Sequence, residues 1–329
     1  MGILVSVFRL LAGLYILVVS VPALLALLGF AAPMLDLFNH LQLLLFFGTL
    51  AALIIALPLF GLRRLATWLA MAGFIASAAI FVPEWLSSLA PRAAAGSAQI
   101  VKLVTHNVFG LNDDMQRVAA VIAAENPDIV ALQEYFPQQV QGLDRLLRPD
   151  YPYSVRCAGG KRANLGLYSK IPFDREMGGE DCPTDYDWDR GQRTAHIIAG
   201  FTLANGAHFS VLTTHMDWPY PIERQQAEFA EIASAVRAVE GPMLVVGDFN
   251  STPWSYALKG FAAASGLERE TRNLLTYPEL FTFRGMRQAI PFLALDQVFQ
   301  RGLVVHELHR GAESGSDHLP VVVSFSVAP

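Results

Sequence analysis

Three long apolar runs near the amino terminus, at residues 10–30, 41–60 and 65–82, constrain this chain more than any other feature. Each has 18 to 21 residues, close to the roughly 20 that a helix needs to cross the hydrocarbon layer of a bilayer. A cleaved export signal explains the first run alone, not the next two. Three nearly uncharged runs in succession do not suit buried core helices either. Residues 1–96 hold four of the chain's 24 Lys/Arg (Arg9, Arg63, Arg64, Arg92) and two of its 29 Asp/Glu (Asp36, Glu84). The remainder therefore carries 20 basic and 27 acidic residues, an ordinary globular composition with a net charge of −7. The 53% hydrophobic content and mean hydropathy of +0.36 are thus concentrated at one end. We expect a membrane anchor at 1–90, a short linker at 91–98 and one globular domain at 99–329.

Orientation follows from the loops. The first connection, 31–40, has Asp36 and no Lys/Arg, whereas the second carries Arg63 and Arg64 together. The excess of basic residues in cytoplasmic loops puts the second loop inside. Three crossings then deliver the globular part to the extracytoplasmic face of a bacterial inner membrane. Trp85, just beyond the third run, suits the aqueous boundary. The only two cysteines, Cys157 and Cys182, lie in the globular part and flank the same predicted strand pair. Outside the cytoplasm such a pair can bond, although two free thiols fit the sequence as well.

Within the globular part, apolar strands and amphipathic helices alternate. Residues 100–108, 128–133, 164–169, 194–203, 207–213, 243–246, 294–299, 303–308 and 321–326 read as strands, and 113–125 and 221–239 as helices. Ala204-Asn205-Gly206 reads as a hairpin turn. Polar residues with chemical potential recur at or just past the strand ends: Asn107, Glu134, His215 and Asp248. Such ends, gathered at one edge, make a rigid-walled pocket.

Four short segments carry a resemblance: Thr105-His106-Asn107-Val108, Gln133-Glu134, Gly247-Asp248-Phe249-Asn250 and Ser316-Asp317-His318. Asp296 in Leu295-Asp296-Gln297-Val298-Phe299 and His215 in Thr214-His215-Met216 complete it. In order and spacing these resemble the endonuclease/exonuclease/phosphatase (DNase I-like) superfamily, from about residue 99 onward. The resemblance implies an α/β fold, a four-layer α/β/β/α sandwich, here preceded by three transmembrane helices. It implies metal-dependent phosphoester hydrolysis with Mg2+ as cofactor, Mn2+ being an alternative. Glu134 matches the metal-binding acid, Asn107 the residue beside it and Asp317 an acid that adds to the metal site. Asp248 matches the group that positions and deprotonates water, and Asn250 a donor to a phosphoryl oxygen. Asp296 matches the acid that orients the catalytic histidine, here His318, and His215 a histidine that contacts phosphate. His106, where an aromatic is frequent, and Gln297, where Tyr or His is usual, depart from the pattern without removing a catalytic group. Arg193 and Arg224 are candidate phosphate contacts, or else structural ion-pair partners.

The acidic domain has no Lys/Arg-rich run, which disfavours nucleic acid as partner. Apolar helices followed by this domain are similar to membrane-anchored VanJ-type proteins, which are associated with undecaprenyl pyrophosphate dephosphorylation. The resemblance therefore points to a phosphorylated lipid substrate. An exported nuclease, a sphingomyelinase-like phosphodiesterase and a catalytically silent membrane binding module are the competing readings. Retention of Glu134, Asp248, Asn250, Asp296 and His318 weighs against the last.

Overall fold

The apolar runs form three helices long and apolar enough to cross a membrane, spanning Ile3–Ala26, Pro33–Phe60 and Leu65–Ser87. The computed structural model describes residues 2–96, 98–177, 182, 193–279, 282–283, 286–287 and 290–328; Ser97, in the expected linker, lies outside them. Two compact units are present, one of residues 1–90 with 252–259, the other of 91–251 with 260–329.

In the first unit, α1 (Gly2–Ala26) starts eight residues before the uninterrupted apolar run. Arg9 interrupts the run but not the helix, because a long basic side chain can carry its charge past an apolar surface. A short α2 (Pro33–Asp36) and a 3-10 turn (Leu37–Leu41) lead into α3 (Gln42–Phe60), and α4 is Leu65–Ser87. The helices meet through small residues. Ala52 and Ala56 on α3 and Ala70 on α4 are buried with Ile16, and a Cβ on Gly73 would lie 2.5 Å from the Ser20 Cβ. Leu10, Ile54 and Ile75 stay exposed. Without an apolar driving force between helices in lipid, close backbone approach is what holds such helices together. A buried polar chain adds to it: Ser77 donates to Gln42, Gln42 to Asn39 and Asn39 to Asp36 at 2.8–2.9 Å. The Asp36 carboxylate accepts the backbone N–H groups of Tyr256 and Ala257, both at 2.9 Å.

The second unit holds two six-stranded sheets. The first contains β1 (Val101–Asn107), β2 (Ile129–Gln133), β3 (Tyr153–Cys157) and β4 (Leu165–Ser169), together with two later strands. The second sheet contains β5 (Arg175–Met177), β6 (His196–Thr202), β7 (His208–His215), β8 (Met243–Asp248) and β9 (Glu268–Arg269). A two-stranded ribbon follows, β10 (Thr282–Phe283) with β11 (Met286–Arg287). Then β12 (Asp296–Arg301) joins the second sheet, while β13 (Leu303–Arg310) and β14 (Val321–Val327) join the first. The orders are β13-β14-β1-β2-β4-β3 and β5-β6-β7-β8-β12-β9. Gly206, at φ 81°, completes the expected turn between β6 and β7.

The sheets pack face to face. Leu103, Ile129 and Leu167 of one meet Ile197, Val211, Leu244 and Val298 of the other, and the Phe209 and Phe325 rings bridge them at 5.3 Å. Helices α5 (Met115–Glu125) and α6 (Pro137–Leu147) cover the first sheet through Val118, Ile122, Leu143 and Leu147 against Val130 and Leu132. On the second sheet, Phe229 of α7 (Ile222–Arg237) and Phe261 of α8 (Tyr256–Ser265) pack on Phe249 and Phe299. β2 and β8 are buried along their whole length, as strands covered on both faces must be. The result is the expected α/β/β/α arrangement.

Each sheet has one parallel pair near its centre, β1 with β2 and β7 with β8. Parallel register brings both carboxyl ends of a pair to the same edge. Asn107 therefore faces Gln133, and His215 faces Asp248, while antiparallel β12 sets Asp296 opposite Asp248.

Candidate active site

Asp248 ends β8, and the residue before it fixes how it gets there. Gly247 has φ 142°, and a Cβ would lie 1.9 Å from the Thr214 carbonyl oxygen. Only glycine lets β7 and β8 approach at this point. Beyond it the chain turns through Asn250 at φ 45°, sending Phe249 into the core, 5.0 Å from the Phe299 ring, while Asp248 and Asn250 stay on the polar side. Glu134, at φ 53°, leaves β2 in the same left-handed way. Both are non-glycine residues in a conformation that such residues rarely adopt, a form of strain that clusters at functional sites.

The expected residues come together. Asn107 Nδ2 donates to Glu134 Oε1 at 3.2 Å and to Asp248 Oδ2 at 3.0 Å, linking the first sheet to the second. Its Oδ1 accepts the Phe109 N–H, so its nitrogen, not its oxygen, faces the two acids. Glu134 Oε2 accepts the Gly110 N–H at 2.8 Å. Asp248 Oδ1 accepts the Asn250 N–H at 2.8 Å, and Asp248 Oδ2 lies 3.5 Å from His215 Nε2 and 3.7 Å from His318 Nε2. Asn250 Nδ2 donates to the Met216 carbonyl at 2.9 Å. His318 Nδ1 pairs with Asp296 Oδ2 at 2.8 Å, and the same oxygen accepts the Thr276 hydroxyl at 2.5 Å. The Ser316 hydroxyl donates to the Asn107 carbonyl and accepts the His318 N–H, which ties the last segment to β1.

Electrostatics separate the roles. Burial pushes the His318 imidazolium toward neutrality, but the Asp296 and Asp248 carboxylates outweigh it and raise the pKa to about 10. His215 goes the other way: burial lowers it, Asp248 opposes, and the Arg162 guanidinium lowers it further. Burial raises Asp248 above the usual carboxylate range, although both histidines oppose this. Burial also raises Asp317, to about 6. Glu134 ends below the usual range because His215, the Gly110 N–H and Asn107 together outweigh its burial.

Two donor sets could hold a cation. Oxygens of Asp248 and Asp296 and a nitrogen of His318 lie within 4.8 Å of one another. A histidine held as imidazolium has no lone pair to offer, so that set is better described as an ion-paired triad. The second set fits a hard cation better. Glu134 is ionised, and Asp317 Oδ1 and Asn250 Oδ1 are buried oxygens without a hydrogen-bond partner among the described residues.

The other candidates lie apart. Arg193, ahead of β6, and Arg224, on α7, are exposed, and the charge of Arg193 is felt at His196. Besides His318, the cation that acts on His215 is Arg162, which the sequence does not flag. Tyr277 and Thr276 also escaped notice: the Tyr277 ring lies 4.8 Å from that of His318. His106 bonds Ser314 and is buried, and Gln297 bonds the Ser251 and Ala294 carbonyls. Both departures from the family pattern thus have structural roles. Cys157 and Cys182 form a disulfide, with Cα atoms 5.3 Å apart.

Residues 104–318 match the model of the endonuclease/exonuclease/phosphatase family, and the chain belongs to that family, with three apolar helices at its amino terminus. Among curated relatives it is similar to a UPF0294 protein of Vibrio cholerae, 32% identical over 143 residues, 42% of this chain and 47% of the relative. The chain spans about half the length of the curated relatives it matches. Among solved structures it resembles an endonuclease/exonuclease/phosphatase from Bacteroides vulgatus (21% identity, TM-score 0.57, covering 70% of this chain and 99% of that one). It also resembles beta toxin from Staphylococcus aureus with bound magnesium ions (16% identity, TM-score 0.50, covering 70% and 100%).

Proposed function

We propose that this chain is a membrane-anchored, divalent-metal-dependent phosphohydrolase of a lipid-linked phosphate such as undecaprenyl pyrophosphate. The observation that carries the chemistry is the convergence of Glu134, Asn107, Asp248, Asn250 and the Asp296–His318 pair on buried ground, with Asn250 Oδ1 and Asp317 Oδ1 left unpartnered beside them.

Glu134 and Asp317 would hold the cation, with Asn107 fixing the Glu134 carboxylate. Mg2+ suits these hard oxygen donors, the staphylococcal toxin binds magnesium ions, and Mn2+ is the alternative. When bound, the metal neutralises charge on the phosphoryl oxygens. Asp248, its pKa raised by burial, accepts a proton from the water that attacks phosphorus. Asn250 Nδ2 and the neutral His215 ring donate to non-bridging oxygens. His318, kept charged by Asp296, stabilises the negative charge that grows in the transition state. Its Nε2 lies only 3.7 Å from the Asp248 carboxylate, on the side from which water attacks. In an in-line displacement the leaving oxygen departs on the far side, so His318 serves there as a charge stabiliser rather than an acid. A phosphate leaving group, as in a pyrophosphate, needs little protonation.

The membrane side is inferred from two independent features. Arg63 and Arg64 favour a cytoplasmic α3–α4 loop, which supports a globular unit outside. The disulfide fits an oxidising compartment. Helices followed by this domain also resemble the VanJ-type arrangement, and a tethered active domain would meet lipid phosphates at high effective concentration. The test is a substrate panel. Purified full-length chain with Mg2+ should release inorganic phosphate from undecaprenyl pyrophosphate, leaving duplex DNA and sphingomyelin intact. Cleavage of DNA in place of the lipid would transfer the assignment to a nuclease.

A further inference from the structure

The loop between β3 and β4 carries a cation that the chemistry above does not use. Arg162 sits at φ 54° and Asn164 at φ 64°, left-handed positions for two non-glycine residues within three. Two contacts stitch this loop to the site. The Tyr135 N–H, next to Glu134, donates to the Asn164 carbonyl at 2.7 Å. The Arg162 Nε donates to Asp217 Oδ1 at 2.6 Å, and Asp217 lies two residues beyond His215. Arg162 is therefore held between the exits of β2 and β7, the strands that deliver Glu134 and His215. The Cys157–Cys182 disulfide fixes the start of the same loop, where the Gly159 N–H reaches the Cys182 sulfur at 3.3 Å.

Charge pairing engages only the Nε end of the side chain. Lys161 Nζ spans Asp217 Oδ2 at 3.1 Å and Glu228 Oε1 at 2.7 Å. Lys161 and Arg162 thus face two acids, Asp217 and Glu228, although burial raises the Glu228 pKa. Arg162 then engages Asp217 through Nε, and among the described residues neither terminal nitrogen has a hydrogen-bond partner. The side chain retains 26% exposure, and its charge reaches His215. A guanidinium oriented at one end, whose two terminal nitrogens have no partner among the described residues, is a fork for an oxyanion.

We propose that Arg162 is a substrate-binding residue that takes the second phosphoryl group of a pyrophosphate, the one not under attack. This assignment rests on the phosphohydrolase reading and sharpens it. The attacked phosphorus belongs beside Asp248, Asn250 and His318, whereas Arg162 pairs with Asp217, two residues beyond His215, and its charge reaches that ring, which suits the neighbouring phosphoryl group. Substrates with a single phosphoryl group leave the fork empty.

The probes are methylenediphosphonate, a non-hydrolysable P–C–P ligand, and methylphosphonate. Both are titrated calorimetrically into the full-length chain with Mg2+. Arg162→Ala should weaken the diphosphonate by about tenfold or more, the worth of a charge-assisted hydrogen bond, and the monophosphonate by less than about twofold. Arg162→Lys keeps the charge without the fork and should fall between; it also carries the test if the alanine variant does not fold. Equal weakening of both ligands, or of neither, overturns the assignment. On a hydrolysable pyrophosphate, Arg162→Ala should raise KM with little change in kcat. Arg162-dependent diphosphonate binding in a protein that releases no phosphate from the lipid defeats the lipid reading alone. Hydrolysis of lipid pyrophosphate with KM unchanged in Arg162→Ala defeats the Arg162 assignment alone.

Discussion

Asp248 faces Asn107, Asn250, His215 and His318 at once, yet burial still disfavours its charge. Burial raises its pKa above that of an exposed carboxylate, which makes it the stronger base. Asp248→Asn keeps the shape and removes the base, so kcat should fall by about 10²- to 10⁴-fold with KM nearly unchanged. His318 has the opposite sign. Its pKa is raised from 6.5 to about 10 in the folded chain, so its ion pairs stabilise fully below about pH 6.5 and fade as pH rises through 10. In melting curves taken with EDTA, the gap between wild type and His318→Gln should be widest near pH 6 and shrink toward pH 10. A constant gap would show that the ring is not held charged. Of the eight residues that the family pattern flags, six sit at or within two residues of a strand end, while Asp317 and His318 lie in the β13–β14 connection and were legible from the Ser316-Asp317-His318 segment alone. Arg162 was not, since Gly159-Gly160-Lys161-Arg162 has the composition of a solvated loop. Its significance depends on Asp217, 55 residues away.

Elements that bury an unbroken apolar stretch, such as β2 and β8, or keep a clear helical period, such as α5 and α7, were visible in the sequence, and several that do neither were missed. β3 is a short edge strand that alternates Val155 and Cys157 with more exposed residues. α6 is polar, showing only Val140, Leu143 and Leu147 at helical spacing after Pro137. α8 runs through Ala262-Ala263-Ala264, where small residues blur the period. Position within an element matters as much as its type. Gly247 joins two strands that a methyl group would force apart, since its Cβ would overlap the Thr214 carbonyl. Gly247→Ala should therefore destabilise by about 3 kcal/mol or more, a drop of roughly 6 °C or more in melting temperature for a unit of this size. A shift within 1–2 °C would mean the strands can separate at that point without consequence.

For the whole molecule, composition alone separated the apolar amino-terminal part from the globular part, because a bilayer and water select opposite residue sets. It could not show that residues 252–259 belong with the helices, which depends on Asp36 accepting two backbone N–H groups 220 and 221 residues further on. Topology can be read with an alkaline phosphatase reporter, which is active only outside the cytoplasm. A fusion after residue 329 should be active and one in the 61–64 loop silent; the reverse pattern would place the globular unit inside. The most direct test of the central claim is phosphate release from undecaprenyl pyrophosphate by the purified full-length chain, titrated with Mg2+ from an EDTA-treated start. Release should rise from background to saturation with Mg2+ and stay at background in Glu134→Gln. Equal release in EDTA, or in the Glu134 variant, would contradict a metal-assisted site built on that carboxylate.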